Sequence, residues 1–343
     1  MELTRIWPPL PIIIRDERDL PMPEDYNFVA AIVDPNRVYE INLHHLKRSQ
    51  LQRLASAMQG QFSSLMHLKL IVVDNLAPEL PNELLGRSAP RLQSLRLRCI
   101  AFHTLPRFLL STTDLVTLFL YDTAYYPPEA IVSGLAVLSN LKYFTMGFDS
   151  SLSDADRISI RSPPLTHAVL PALTSFEFWG DGEYLESLVT RIDAPLLGSI
   201  KISFLHRLMF DTPQLAQFMR RTTRIGKLDE AHVRLYKNCL HLRSLPPEGP
   251  EPTSDKESSL TITCRKKNWR LSSISSLAPI LTSFFPFIHM VEHLYIQLDR
   301  PRYSPSRRQA AIDNRLWLET FRLFSAVKSL YICKEFAEYN AFA

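Results

Sequence analysis

The chain has 343 residues, 46% of them hydrophobic and 22% charged, with 39 lysines and arginines against 35 aspartates and glutamates. That balance fits a globular protein with a substantial core, and so small a positive excess gives no reason to expect a nucleic-acid partner. The longest apolar runs, Ile12 to Ile14 and Ser283 to Ile288, fall far short of the roughly 18 residues that a membrane span needs, and Met1 to Pro9 lacks the apolar stretch of a secretory signal.

From Arg5 the text reads RIWPPLPIIIR, a proline-broken lead-in whose three isoleucines predict a buried strand. Asp16 to Asp25, acidic and proline-containing, predicts a loop. A pattern then begins that recurs along most of the chain. Val38, Ile41 and Leu43 are followed by LMHLKL from Leu65, LQSLRL from Leu92 and LVTLFL from Leu115, three copies of L-x-x-L-x-L. The first apolar position of successive copies falls at Val38, Leu65, Leu92, Leu115, Leu141, Leu173 and Leu197. The spacings are 27, 27, 23, 26, 32 and 24 residues, and most lie within the roughly 20 to 29 residues of a leucine-rich repeat.

Helical periodicity fills the intervals, as parallel crossovers require. Leu51, Leu54, Ala55 and Met58 form one face behind a cap at Ser49; Pro128 opens a run with Ile131, Leu135 and Leu138; Tyr184, Leu185, Leu188, Val189 and Ile192 form another face; and Pro213 precedes Leu215, Phe218 and Met219. After Ser203 the motif weakens. His232 to Tyr236 and Ser259 to Thr263 alternate like strands, and the apolar triplet returns at Val291, Leu294 and Ile296 and at Val327, Leu330 and Ile332. Helices are expected before these two, over Ile274 to Phe285 and Leu316 to Phe324.

The expected architecture is an α/β leucine-rich repeat solenoid, a horseshoe with a curved parallel sheet on its concave face and helices on its convex face. It is expected to run as one unit over residues 1–343, with a lead-in at 1–37 and loop insertions at 246–259 and 299–308.

Catalytic chemistry has little to stand on. The nine glycines form neither a G-x-G-x-x-G nor a phosphate-loop arrangement, and no G-x-S-x-G is present. His44, His45, His206, His232 and His241 lack partners at metal-ligand spacing. Cys99, Cys239, Cys264 and Cys333 form no C-x-x-C pair, which points to a reducing cytoplasmic or nuclear setting, with Cys99 a small buried thiol past a strand end. Arg265, Lys266, Lys267 and Arg270 around Trp269 read first as a solvated edge and second as a nucleic-acid patch or a nuclear signal. No enzyme activity, cofactor or metal is therefore expected.

The side chains between the leucines carry more. They alternate with the core positions and so face away from it. Arg96, Arg98, Phe119, Tyr121, Tyr143, Glu177, Trp179 and Lys201 fall there, and arginine and aromatic residues are the types that dominate protein interfaces. The competing explanation is that Phe119, Tyr143 and Trp179 only pack on their cross-strand neighbours.

The opening WPPLPIII at Trp7 to Ile14, LVTLFLYDT at Leu115 to Thr123, VLPALTSFEF at Val169 to Phe178 and RIDAPLL at Arg191 to Leu197 resemble the fungal F-box proteins with leucine-rich repeats. The resemblance implies repeats that hold a protein substrate for a cullin-RING ubiquitin ligase. It also implies a Skp-type adaptor bound by an N-terminal F-box. The L-P-x-E-x-L and V-C-x-x-W phrases of an F-box do not occur before Trp7, so adaptor binding is expected only if an F-box lies upstream of Met1. The alternative is a stand-alone repeat scaffold or regulatory protein without ligase coupling.

Overall fold

Val38, Leu65, Leu92, Leu115, Leu141, Leu173 and Leu197, which set the repeat spacing, are all completely buried. The structure, a computed structural model, describes residues 10–16, 28–32, 34–73, 78–148, 166–204, 213–222, 230–236, 239–245, 259–265, 288–298 and 321–332. It is a mixed α/β protein dominated by parallel strand pairing. The chain divides into two compact units, Met1–Ser150 with Pro163–Leu173, and Ser151–Ser162 with Thr174–Ala343.

In the first unit six strands lie side by side in chain order, each parallel to the next: β1 (Ile12–Asp16), β2 (Val38–Leu46), β3 (His67–Val72), β4 (Ser94–Arg98), β5 (Thr117–Tyr121) and β6 (Tyr143–Gly147). Successive copies of the motif align in register. Ile41, Leu68, Leu95, Leu118 and Phe144 form one row, and Leu43, Leu70, Leu97, Leu120 and Met146 the next. All ten are 1% exposed or less. Burial of each contributes roughly 1.5–3 kcal/mol, but only because the neighbouring copies supply the rest of the core. In β1 Ile14 and Asp16 are buried, while Ile13 is half exposed, so the strand alternates.

Helices α1 (Arg48–Ala57), α2 (Leu105–Leu109) and α3 (Pro128–Leu135) occupy the intervals. The first begins a residue before the expected cap at Ser49. The Lys47 N–H donates instead to Gln50 Oε1 at 2.9 Å, which satisfies one donor at the helix start. Leu51, Leu54, Ala55 and Met58 are buried, as their spacing predicts. Between α2 and α3 the approach is close: a Cβ on Gly134 would stand 3.0 Å from the Pro106 carbonyl oxygen and 3.1 Å from Leu109 Cβ. Buried Tyr126 donates its hydroxyl to the Phe102 carbonyl at 2.9 Å, and burial raises its pKa above the ordinary tyrosine range. A two-residue strand, β7 (Ala168–Val169), follows.

The second unit starts with the same alternation: β8 (Ser175–Gly180), α4 (Gly182–Val189), the short β9 (Ile192–Asp193), β10 (Ser199–Phe204) and α5 (Pro213–Arg221). Asp181 accepts from the Glu183 N–H and caps α4. From within α4, Glu186 accepts from the Gln214 and Leu215 N–H groups, both at 2.9 Å, so one helix places a carboxylate on the first turn of the next.

The remaining strands depart from a simple succession of parallel copies. β11 (Glu230–Tyr236), β12 (Cys239–Leu245) and β13 (Ser259–Arg265) form an antiparallel meander, and its last strand, not its first, pairs parallel with β10. β14 (His293–Leu298) then pairs parallel with β11, and β15 (Ser329–Ile332) with β14. The alternating segments near 232–236 and 259–263 are thus strands, and the unexpected element is β12 between them. The helix expected over Ile274 to Phe285, most of that expected over Leu316 to Phe324, and nearly all of both loop insertions lie outside the described residues.

Cys99 differs from expectation. It is half-buried with φ 55°, and its Sγ lies 4.0 Å from Asp122 Oδ2. Asp122 and His45 occupy the corresponding positions of their own copies and also have positive φ, 51° and 53°. The chain therefore leaves β4 and β5 through the same left-handed turn, and within β2 the equivalent residue lies where the register with β3 shifts.

Candidate functional site

In each unit, rows of side chains run across the strand faces opposite the leucines. In the first unit one row is Glu40, His67, Ser94, Thr117 and Tyr143; the next is Asn42, Lys69, Arg96, Phe119 and Thr145; a third holds Ile71, Arg98, Tyr121 and Gly147. Five of the residues singled out from the sequence are therefore brought together on three adjacent strands. Arg96 and Arg98 are exposed, and Tyr143 is 47% exposed.

Phe119 and Tyr121 stack with ring centroids 6.5 Å apart and planes 22° apart, and the Arg98 guanidinium sits 5.2 Å from the Tyr121 centroid. Stacking and a cation over a ring hold these side chains in a fixed array on a rigid sheet. Phe119 does pack on a neighbour, but along its own strand, and it stays only half buried.

At the other end of this sheet Glu40 is 7% exposed and accepts from Arg15 through both oxygens, at 2.7 and 2.5 Å. The hydrogen-bonded guanidinium holds the Glu40 carboxyl below its usual 4.5. A lowered folded-state pKa makes the pair stabilising above the unfolded value, and that contribution is lost as pH falls through the folded value. Because Arg15 is half exposed, Glu40→Gln is expected to cost about 1–2 kcal/mol at pH 7. Urea unfolding of the variant and the wild type at pH 7 and at pH 3 checks this: the gap should close at the lower pH.

In the second unit Glu177, Lys201 and Thr261 share a row, and Trp179 and Ser203 the next. Lys201 forms an ion pair with Glu177, and its Nζ stands 5.3 Å from the Trp179 ring centroid. The three residues expected here thus satisfy one another. The row containing Glu177 continues through Arg243, His232, Tyr295 and Tyr331. Rings of His232, Tyr295 and Tyr331 stack in a ladder, each successive pair 4.3 Å apart and 4° from parallel. The His232 Nε2 lies 3.4 Å from Glu230 Oε2.

Sequence reasoning did not select Tyr295 or Tyr331. The signal was present: both strands read Leu-Tyr-Ile, with the tyrosine in the slot that holds Arg96 and Phe119 in the earlier copies. Among the described residues no group of His, Cys, Asp and Glu is placed to hold a metal ion, and no helix is long and apolar enough to cross a membrane. No family model matches the chain, and comparison with curated proteins gave no match.

Proposed function

We propose that the chain is a leucine-rich repeat solenoid that binds other proteins through the sheet face opposite its leucine core. The in-register leucine rows and the alternation of strand and helix support the fold reading. The observation that carries the function is the Arg96, Arg98, Phe119, Tyr121 and Tyr143 array: arginines and half-exposed rings held on a rigid sheet are what an interface uses as anchors.

The resemblance to F-box repeat proteins supports a more specific form, in which the repeats hold substrates for a cullin-RING ligase. The alternative is a repeat scaffold without that coupling. Testing the chain, together with any coding sequence that lies upstream of Met1, for binding of a Skp-type adaptor separates the two: binding supports the ligase form, and its absence leaves the scaffold.

Tyr143→Ala and Trp179→Ala test the face in each unit by itself. Tagged wild type and variants are used to capture proteins from a lysate and the recovered proteins are quantified. Recovery of at least one protein should fall about tenfold or more in a variant whose circular dichroism is unchanged. Equal recovery by wild type and both variants, singly and combined, would exclude this face.

A further inference from the structure

Resting on the protein-binding reading above, we infer that the first unit's sheet face takes an extended acidic segment of its partner, with carboxylates over β3 and β4 and an apolar or aromatic residue over β5 and β6. Charge is the first argument. On the face of β3 to β6 opposite the leucines the charged residues are Lys69, Arg96 and Arg98. All three are permanent cations and none is acidic. Among the described residues neither the Arg96 nor the Arg98 guanidinium forms a salt bridge.

The second argument is placement. Lys69 and Arg96 are direct cross-strand partners, roughly 4.8 Å apart along the hydrogen-bonding direction. Arg96 and Arg98 lie two residues apart on β4, so their exposed guanidinium groups share this face. The second unit offers the contrast, because its cation Lys201 is already answered by Glu177 from the adjacent strand. Clustered arginines beside an apolar platform form the arrangement that recognises acidic motifs in extended peptides.

The third argument is extent. The array spans four strands, about 15 Å at the usual strand spacing, which matches four to five residues of extended chain at ~3.3 Å each. The permanent cations occupy only β3 and β4, and the row of His67 runs into Glu40, whose carboxylate is engaged by Arg15. A nucleic-acid strand instead needs cations tracking successive phosphates, so an acidic polypeptide is the better match.

The test uses the full chain and two fluorescein-labelled peptides, Asp-Glu-Asp-Gly-Phe-Leu and its amide counterpart Asn-Gln-Asn-Gly-Phe-Leu, with a short oligothymidylate as a third probe. The acidic peptide should bind at least about tenfold tighter than the amide peptide, and its affinity should fall steeply with salt. Arg96→Glu with Arg98→Glu should remove that preference, and Arg96→Gln with Arg98→Gln should reduce it. Both arginines are exposed, so the thermal midpoint should change little, which separates lost binding from lost folding.

Equal affinity for the two peptides, or tighter binding of oligothymidylate than of the acidic peptide, overturns the inference. If the peptides fail while Tyr143→Ala still reduces recovery of a partner from lysate, acidic recognition is wrong and protein binding stands. If Tyr143→Ala and Trp179→Ala also change nothing, the protein-binding reading falls with it.

Discussion

Leu118→Ala is expected to lower the unfolding free energy by about 3–4 kcal/mol, the largest single-residue effect in the first unit. Leu118 has no exposed surface and stands in register between Leu95 and Phe144, so truncation opens a cavity walled by two neighbouring copies. In a stacked array each copy is held by those beside it, and a defect in the middle weakens both contacts. Urea unfolding followed by circular dichroism measures the loss. Thr117→Ala, one residue away on the opposite face and only half buried, should stay within about 0.5 kcal/mol. A loss at Leu118 below about 1 kcal/mol would mean that the leucine rows do not carry the core.

Gly134→Leu is the second large effect, with an expected cost of about 3 kcal/mol. Here the cause is overpacking. A Cβ alone would already press on the Pro106 carbonyl and on Leu109, and a carbonyl within a helix cannot swing aside as a flexible side chain does. The remaining leucine atoms have no space unless α3 moves away from α2. Gly134→Ala separates the two contributions. Alanine recovers about 1 kcal/mol of helix propensity, so its net change should be much smaller than that of leucine. Thermal unfolding of the three proteins checks the order, and a leucine variant as stable as wild type would show that α2 and α3 separate readily.

The repeat strands of the first unit were legible because their signal is doubly periodic: alternation within a strand and recurrence at a near-constant interval. Register followed from the same pattern, since a one-residue slip would expose every leucine. The β12 strand was not legible in that way, for a physical reason. It runs opposite to its neighbours, so the motif appears reversed: Leu240, Leu242 and Leu245 spell L-x-L-x-x-L. A search for the forward motif passes over it.

The candidate surface was legible in position and less so in chemistry. That Arg96, Phe119 and Tyr143 lie off the core follows from alternation alone. That Lys201 is answered by Glu177 while Arg96 faces Lys69 depends on which strands lie side by side and in what register. The ladder through Tyr295 and Tyr331 lay beyond the weakened stretch, where the meander interrupts the chain order on which the reading relied. The left-handed turn at Cys99 had no signal in a residue type that seldom adopts it.

The meander also bears on the order in which the chain folds. From β2 to β6 each strand pairs with one roughly 25 residues away, such as His67 with Ser94, so assembly can proceed from any copy to the next through short loop closures. β10 instead waits for β13: Ser199 pairs with Ser259, about 60 residues on, after β11 and β12 have been made. Closing the longer loop costs only about 0.7 kcal/mol more in chain entropy, but the pairing is conditional on a hairpin formed first. On a ribosome the six parallel strands of the first unit have all emerged once Gly147 has. The second would hold the edge of β10 without its partner until synthesis has passed Arg265, a window in which that edge is open to pairing with another chain.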